Sequence, residues 1–350
     1  MRVGLPSALV NQYYISFWRT FFAEPGVEVI GSGETTKNIL DKGIRYSVPE
    51  ICAPIKIYTG HVVDLLDQEI DYVYVPRFIS IRKPDTFCPK FLGLPDMLSC
   101  TIPGLKEKLL THYIKPENDL IAKKDTFLAL GRVFTDDRKR IKRAIGKASA
   151  AWREFRALSV NKGYNCKEAN SIIFGHKELQ QPKSLPRPIK LGVIGYVYNI
   201  YDDFISMNIL DRLSSLGVEV VTFEMLSEKE LEKELKKYRK TPFWTFSNKL
   251  LAAAGKFLAD QSIDGLIHVT AFGCGPDSFL GKVLELDSVT YQKPFITVRI
   301  DEHTEENHLQ TRIEAFVDMI YRKKQKHRGL TDDEDYLSLH GTDACVQEAN

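Results

Sequence analysis

Three of the six cysteines in this 350-residue chain stand where their types and neighbours suit chemistry. Cys274 lies in Phe272-Gly-Cys-Gly-Pro-Asp277, where a strand-like run, Asp264-Gly-Leu-Ile-His-Val-Thr270, meets a tight glycine turn. Pro276 suits a first helical turn, because its fixed φ matches and its missing N–H is not needed there. The thiol is therefore expected between the carboxyl end of a strand and the amino end of a helix. There, backbone N–H groups and the helix dipole favour a thiolate. The flanking glycines let a bulky ligand come close to the backbone. Cys52, in Pro49-Glu-Ile-Cys-Ala-Pro-Ile-Lys56, and Cys88, in Phe87-Cys-Pro-Lys-Phe-Leu-Gly93, also precede prolines, Pro54 and Pro89. Cys100, Cys166 and Cys345 lack that setting.

The spacings are 36 residues (88 minus 52) and 186 residues (274 minus 88). They match neither a C-x-x-C zinc knuckle nor a ferredoxin run. Three thiolates with an open fourth position suit a [4Fe–4S] cluster that keeps one iron free for substrate. Zinc held by the three cysteines and His303 is a rival, and three unrelated buried thiols is the plain alternative. Lys56, one turn beyond Cys52, and Lys90, two residues beyond Cys88, are each a candidate to neutralise thiolates or a surface lysine, with Lys56 favoured. Glu302 and His303, at the end of the strand Pro294-Phe-Ile-Thr-Val-Arg-Ile300, suit proton shuttling or structural hydrogen bonding. Asp277 reads as a helix cap.

The elements that must position these residues alternate strand and helix, which indicates parallel, doubly wound sheets. Strands are expected at Arg2–Leu5, Gly26–Ile30 and Asp71–Pro76. Between them lie an aromatic-rich helix over Leu9–Phe22, a short helix from Thr36 to Gly43, and a helix from Cys52 to about Asp67. The pattern then restarts. Lys190-Leu-Gly-Val-Ile-Gly195 answers the first strand, and Gly217-Val-Glu-Val-Val221 answers Gly26-Val-Glu-Val-Ile30. Asp264–Val269 answers Asp71–Val75, which makes Cys88 and Cys274 near-equivalent. The fold class is α/β: two Rossmann-like lobes with parallel sheets, a pseudo-repeat, joined by a helical segment. The divisions are a first lobe over 1–102, a helical connector over 103–180, a Pro-rich linker over 181–188, a second lobe over 189–323, and a frayed tail over 324–350. Ligands collect beyond the carboxyl ends of strands in such sheets, so facing lobes would present Cys52, Cys88 and Cys274 to one cleft. The first-helix aromatics and Trp244 read as core.

Lys and Arg number 48 against 46 Asp and Glu, a formal charge of +2. Nothing in that balance selects nucleic acid or membrane as a partner. The basic run Asp136–Arg143 alternates with Ile141, Ala144 and Ile145, as a solvated helix face does. No apolar run reaches membrane-spanning length. Met1–Val10, broken by Pro6, reads as strand and turn and not as a secretion signal. Unpaired cysteines in such a chain fit a reducing cytoplasm.

Six stretches together carry a resemblance: Glu50–Lys56, Cys88–Asp96, Gly195–Asp202, Phe243–Phe246, Phe272–Ser278 and Asp301–Thr304. Through them nearly the whole chain resembles the 2-hydroxyacyl-CoA dehydratase superfamily. More closely, it resembles the stand-alone acyl-CoA dehydratase activase-related, or CoA-substrate-specific enzyme activase-like, proteins. The resemblance implies an oxygen-sensitive iron–sulfur cluster held by Cys52, Cys88 and Cys274, working anaerobically. It also implies an electron supply from an ATP-hydrolysing activator protein, with a second dehydratase-like subunit or another copy of the chain as further partners. In the dehydratases, one electron passes to a thioester carbonyl and an α-hydroxyl is expelled; in double-cubane relatives, linked clusters reduce small molecules. A non-catalytic scaffold or cluster carrier assisting an activase is the alternative reading. Two stretches depart from the family pattern and add bulk. Tyr196-Val stands where His/Arg-Pro is usual, and Glu305 replaces a Gly. No Gly-rich nucleotide loop is present, so the chain does not read as the ATPase itself.

Overall fold

A computed structural model describes residues 1–81, 84–115, 124–175, 188–302 and 306–328. The first lobe runs β1 (Arg2–Leu5), α1 (Asn11–Ala23), β2 (Glu28–Gly31), α2 (Lys37–Arg45), α3 (Ala53–Leu66), β3 (Tyr72–Tyr74), β4 (Arg77–Phe78), α4 (Pro89–Thr101), α5 (Leu105–Lys108), β5 (Leu109–Leu110) and β6 (Tyr113–Ile114). Its sheet has the order β2-β1-β3-β5, all parallel, and β4 pairs with β6 in a separate ribbon. The connector supplies α6 (Lys124–Gly131), α7 (Arg138–Lys162) and α8 (Cys166–Ile173).

The second lobe runs β7 (Ile189–Gly195), α9 (Val197–Ile200), α10 (Asp203–Ser206), α11 (Ile209–Ser215), β8 (Val218–Val221), α12 (Glu228–Leu235), α13 (Thr245–Ala259), β9 (Gly265–Ala271), α14 (Gly275–Thr290), β10 (Phe295–Ile300) and α15 (Glu306–Arg328). Its parallel sheet has the order β10-β9-β7-β8. Read from the other edge, that is β8-β7-β9-β10, the strand-for-strand counterpart of the first sheet. The repeat expected from the sequence is thus a repeat of topology.

Two differences from the expected elements have simple physical causes. β5 and β6, inside the stretch read as helical, have two residues each, too short for an alternation to register. The last helix extends to Arg328, because Lys324 donates to Pro188 O and pairs with Asp264, tying its last turns to the second lobe. Most of the Pro-rich linker and residues 329–350 lie outside the described residues.

Tyr13, Tyr14, Phe17, Trp18, Phe21 and Phe22 recur at helical spacing, and all are buried on α1. The Tyr13 ring lies 5.1 Å from Trp152 of the connector and 5.8 Å from both Phe223 and Phe246 of the second lobe. One core therefore serves all three parts of the chain. On α7, Ala144 and Ala148 face this core, and Ile141 is buried against Gly131 of α6. Arg143 and Lys147 stay on the solvent side, paired with Glu24.

α2 and α3 cross backbone to backbone. A Cβ on Gly43 would sit 1.8 Å from Lys56 O, and one on Gly60 would sit 1.9 Å from Ile39 O. Lys42 adds ion pairs of 2.8 Å to Asp64 and Asp67 across the same crossing. These contacts fix the helix that Cys52 begins.

The lobes are joined by polar links as well as by core. Thr86 N donates to Phe243 O at 2.8 Å and Thr245 N to Thr86 O at 2.9 Å, a single parallel bridge. Thr35 Oγ1 donates to Asp202 Oδ2, and Lys56 pairs with Glu302. No described helix is long and apolar enough to cross a membrane.

Candidate functional site

Cys52, Cys88 and Cys274 occupy the N-cap positions of α3, α4 and α14, each with proline in the first helical turn. All three N-caps are extended or nearly so, the backbone state that turns a chain into a helix. Gly273, at φ 76°, makes the preceding turn, and a Cβ there would lie 3.9 Å from Cys52 Cα. Two cysteines come from the first lobe and one from the second, and all three line one cavity of about 240 Å³.

The cavity is mostly apolar. Leu9, Ile55, Phe87, Phe91 and Phe246 form much of its wall, with Tyr196 and Tyr198 stacked 5.3 Å apart along one side. The Tyr196 hydroxyl meets Ser247 Oγ at 2.8 Å. Trp244 is half-buried and lines this cavity, so it is a wall of the site and not an interior core residue. The Lys90 ammonium reaches Cys52 Sγ at 3.6 Å, whereas Lys56 is buried in its 2.5 Å pair with Glu302. Glu302 borders a different cavity, with Asp301 and the α10 region. His303 lies outside the described residues, as does Cys345. Cys100 is exposed and Cys166 is buried elsewhere.

Burial raises two of the three thiols, Cys274 and Cys88. It pushes Cys274 far up, and Asp277 and the other two cysteines push it further, against one N–H donated by Asp277. Cys88 is also raised, by burial first, with the Lys90 N–H opposing. The helix N-termini therefore do not by themselves make thiolates here. Ionising Cys88 and Cys274 calls for positive charge brought into the cavity. Among the described residues, no group of three or more His, Cys, Asp or Glu side chains is arranged to hold a metal ion.

Asp277, expected as a cap, instead accepts from buried His268 Nε2 at 3.0 Å, just behind Cys274. Gly281 makes room for the ring, since a Cβ there would lie 2.8 Å from His268 Cε1. Sequence reading missed this pair. Its one signal was a lone histidine in the fully buried strand Gly265–Ala271.

Residues 2–226 match the CoA enzyme activase uncharacterised domain (DUF2229), well over half of the chain. The chain belongs to this family. The matched span holds Cys52, Cys88, Lys90 and the Tyr196–Asp202 segment, while Cys274 and Glu302 fall beyond it. No curated protein matches the chain. Membership links it to the activation of CoA-dependent enzymes, and hence to a dehydratase-type partner.

Proposed function

We propose that this member of the activase-related family is an iron–sulfur redox protein of the 2-hydroxyacyl-CoA dehydratase type, with Cys52, Cys88 and Cys274 as the protein ligands. The observation that carries the reading is the convergence of three proline-followed N-cap cysteines, from two lobes, on one apolar cavity. The donor set fits. Thiols that ring a space suit a cluster, which brings its own sulfides and volume, and its irons supply the positive charge that the raised thiols need. When bound, a [4Fe–4S] cluster supplies single low-potential electrons and, with three protein ligands, one iron open to a thioester carbonyl or another small molecule.

The chain's own residues have distinct parts in this. The Lys90 ammonium offsets thiolate charge at Cys52. The backbone N–H groups of Lys90 and Asp277 donate to the Cys88 and Cys274 sulfurs. The aromatic walls exclude water. The Tyr196–Ser247 pair keeps one hydroxyl of that wall satisfied. Electrons come from an ATP-hydrolysing activator protein, and a second dehydratase-like subunit or a second copy of this chain completes the working unit. The chain acts in the reducing, anaerobic cytoplasm.

Anaerobic purification and reconstitution tests the reading, with iron and sulfide assays and EPR after reduction. Roughly four irons per chain with a reduced-cluster signal, both lost in Cys274→Ser, is the expected result. About twice that iron would indicate the double-cubane kind. A folded, iron-free protein under all anaerobic conditions would overturn the proposal and leave a scaffold role.

A further inference from the structure

A buried polar pair stands directly behind Cys274. His268 and Asp277 are 1% and 0% exposed, and they join β9 to the first turn of α14. His268 is in register with Ile194 of β7 on one side and Thr297 of β10 on the other, so its backbone is held from both sides. Its ring lies in a slot left open for it. On Gly281, four residues beyond Asp277, a Cβ would sit 2.8 Å from His268 Cε1 and 3.0 Å from Nδ1. The Phe295 ring stacks on the imidazole with centroids 6.4 Å apart.

Folding alone does not account for the pair. A first-turn carboxylate ordinarily turns back to the N-cap N–H or out to solvent, where the helix dipole favours it. Here the Cys274 N–H is already taken by Ala271 O at 3.2 Å, and the Asp277 carboxylate turns inward to accept from His268 Nε2 at 3.0 Å. His268 Nδ1 and Asp277 Oδ2 have no partner among the described residues. A buried pair with two unmet atoms contributes little to stability compared with well-packed apolar side chains.

What the pair does fix is the turn that carries Cys274. Asp277 is the third residue of α14, and its backbone N–H donates to the Cys274 sulfur. Ser278 holds the same turn, donating to Cys274 O from its N at 2.9 Å and from its Oγ at 2.8 Å. A separate cavity of about 460 Å³, lined by His268, Gly273, Asp277, Ser278 and Arg299, gives an unheld carboxylate room to swing. We propose that His268 is a positioning residue for Cys274: by holding the Asp277 carboxylate in the layer between β9 and α14, it keeps the Asp277 N–H on the sulfur and the carboxylate off it. The consequence for redox chemistry rests on the cluster reading. A hydrogen bond to a ligand sulfur raises the reduction potential of a bound cluster, and a nearby negative charge lowers it. The hold on the turn needs no cluster.

Two readouts test the role. Hydrogen exchange of the full-length, cluster-free chain follows the amides of Gly275, Asp277 and Ser278, and an EPR-monitored redox titration follows the reconstituted protein. In His268→Leu, with far-UV circular dichroism unchanged, exchange in that turn should be at least tenfold faster. Its reduction equilibrium should shift tenfold towards the oxidised state, ~59 mV for one electron. His268→Gln, whose amide N–H reaches for the same oxygen, should keep most of both wild-type values. If His268→Leu fails to fold, Gly281→Ala carries the comparison, because its methyl displaces the ring and leaves both partners in the chain. Unchanged exchange, an unchanged midpoint, or equal losses in His268→Leu and His268→Gln would overturn the proposal. An iron-free wild type would overturn the cluster reading instead, and the exchange measurement would still decide the part played by His268.

Discussion

The ammonium of Lys90, on the second residue of α4, stands 3.6 Å from the sulfur of Cys52, the residue that begins α3. A cation supplied by one ligand helix thus sits on the thiol of another. Neither cysteine's own sequence neighbourhood contains the contact.

Removing that charge should move a redox potential more than it moves iron content. Lys90→Met is expected to lower the midpoint of the reconstituted protein by about 60 mV or more, equivalent to ~1.4 kcal/mol for one electron. Lys90→Arg should keep most of the wild-type value. An EPR-monitored redox titration checks both, and an unchanged midpoint in Lys90→Met would remove the charge-compensating role.

The helix crossing at Gly43 and Gly60 leaves no room for a methyl group. Gly43→Ala or Gly60→Ala must push backbone away from backbone, at a cost of ~3 kcal/mol or more. Gly146, on α7 with nothing within 4 Å of its would-be Cβ, is the control. There, alanine should stabilise by about 0.5–1 kcal/mol through helix propensity. Urea unfolding of the three variants measures the contrast.

His61 makes the fold acid-sensitive. Burial holds its pKa at about 4, below the ordinary 6.5, so between these values the unfolded chain takes up a proton that the folded chain does not. Stability is therefore complete above about pH 6.5, falls as the pH drops towards 4, and loses nothing more from this group below that. The total is about 3 kcal/mol. His112, held at about 3 by burial, adds a loss of the same sign. Denaturant midpoints measured from pH 7 to pH 4 should fall in the wild type and less steeply in His61→Gln.

Lys56 and Glu302 should respond unequally to mutation. Lys56 is 3% exposed, so Glu302→Ala strands a buried cation and should cost about 3 kcal/mol. Lys56→Met removes the buried charge and leaves a carboxylate with 21% of its side chain exposed, so it should cost less. Equal losses in thermal unfolding would contradict this account of the pair.

The parts of the fold that repeat a period were readable in the sequence. The α1 aromatics, the strands answering one another across the two lobes, and the proline after each of three cysteines all survive as observed elements. What escaped the sequence depends on distant chain segments meeting. β5 has two residues and is defined only by β3 beside it. Asp277 looked like a cap because its partner, His268, belongs to the preceding strand and meets it only after the turn closes. On paper Lys56 was favoured over Lys90 as the lysine beside the thiols, and the structure reverses that order. Their separation came from Glu302, which lies 246 residues from Lys56 in sequence and engages its ammonium.

The division of the three thiols between lobes also sets an order of events during synthesis. Cys52 and Cys88 leave the ribosome early, but the third thiol follows 186 residues later (274 minus 88), at the end of β9. The cavity cannot exist until most of the second lobe has been translated and has docked on the first. Anything that belongs in it must enter a nearly finished polypeptide, and a nascent chain stalled before Cys274 would have only two of the three sulfurs to offer.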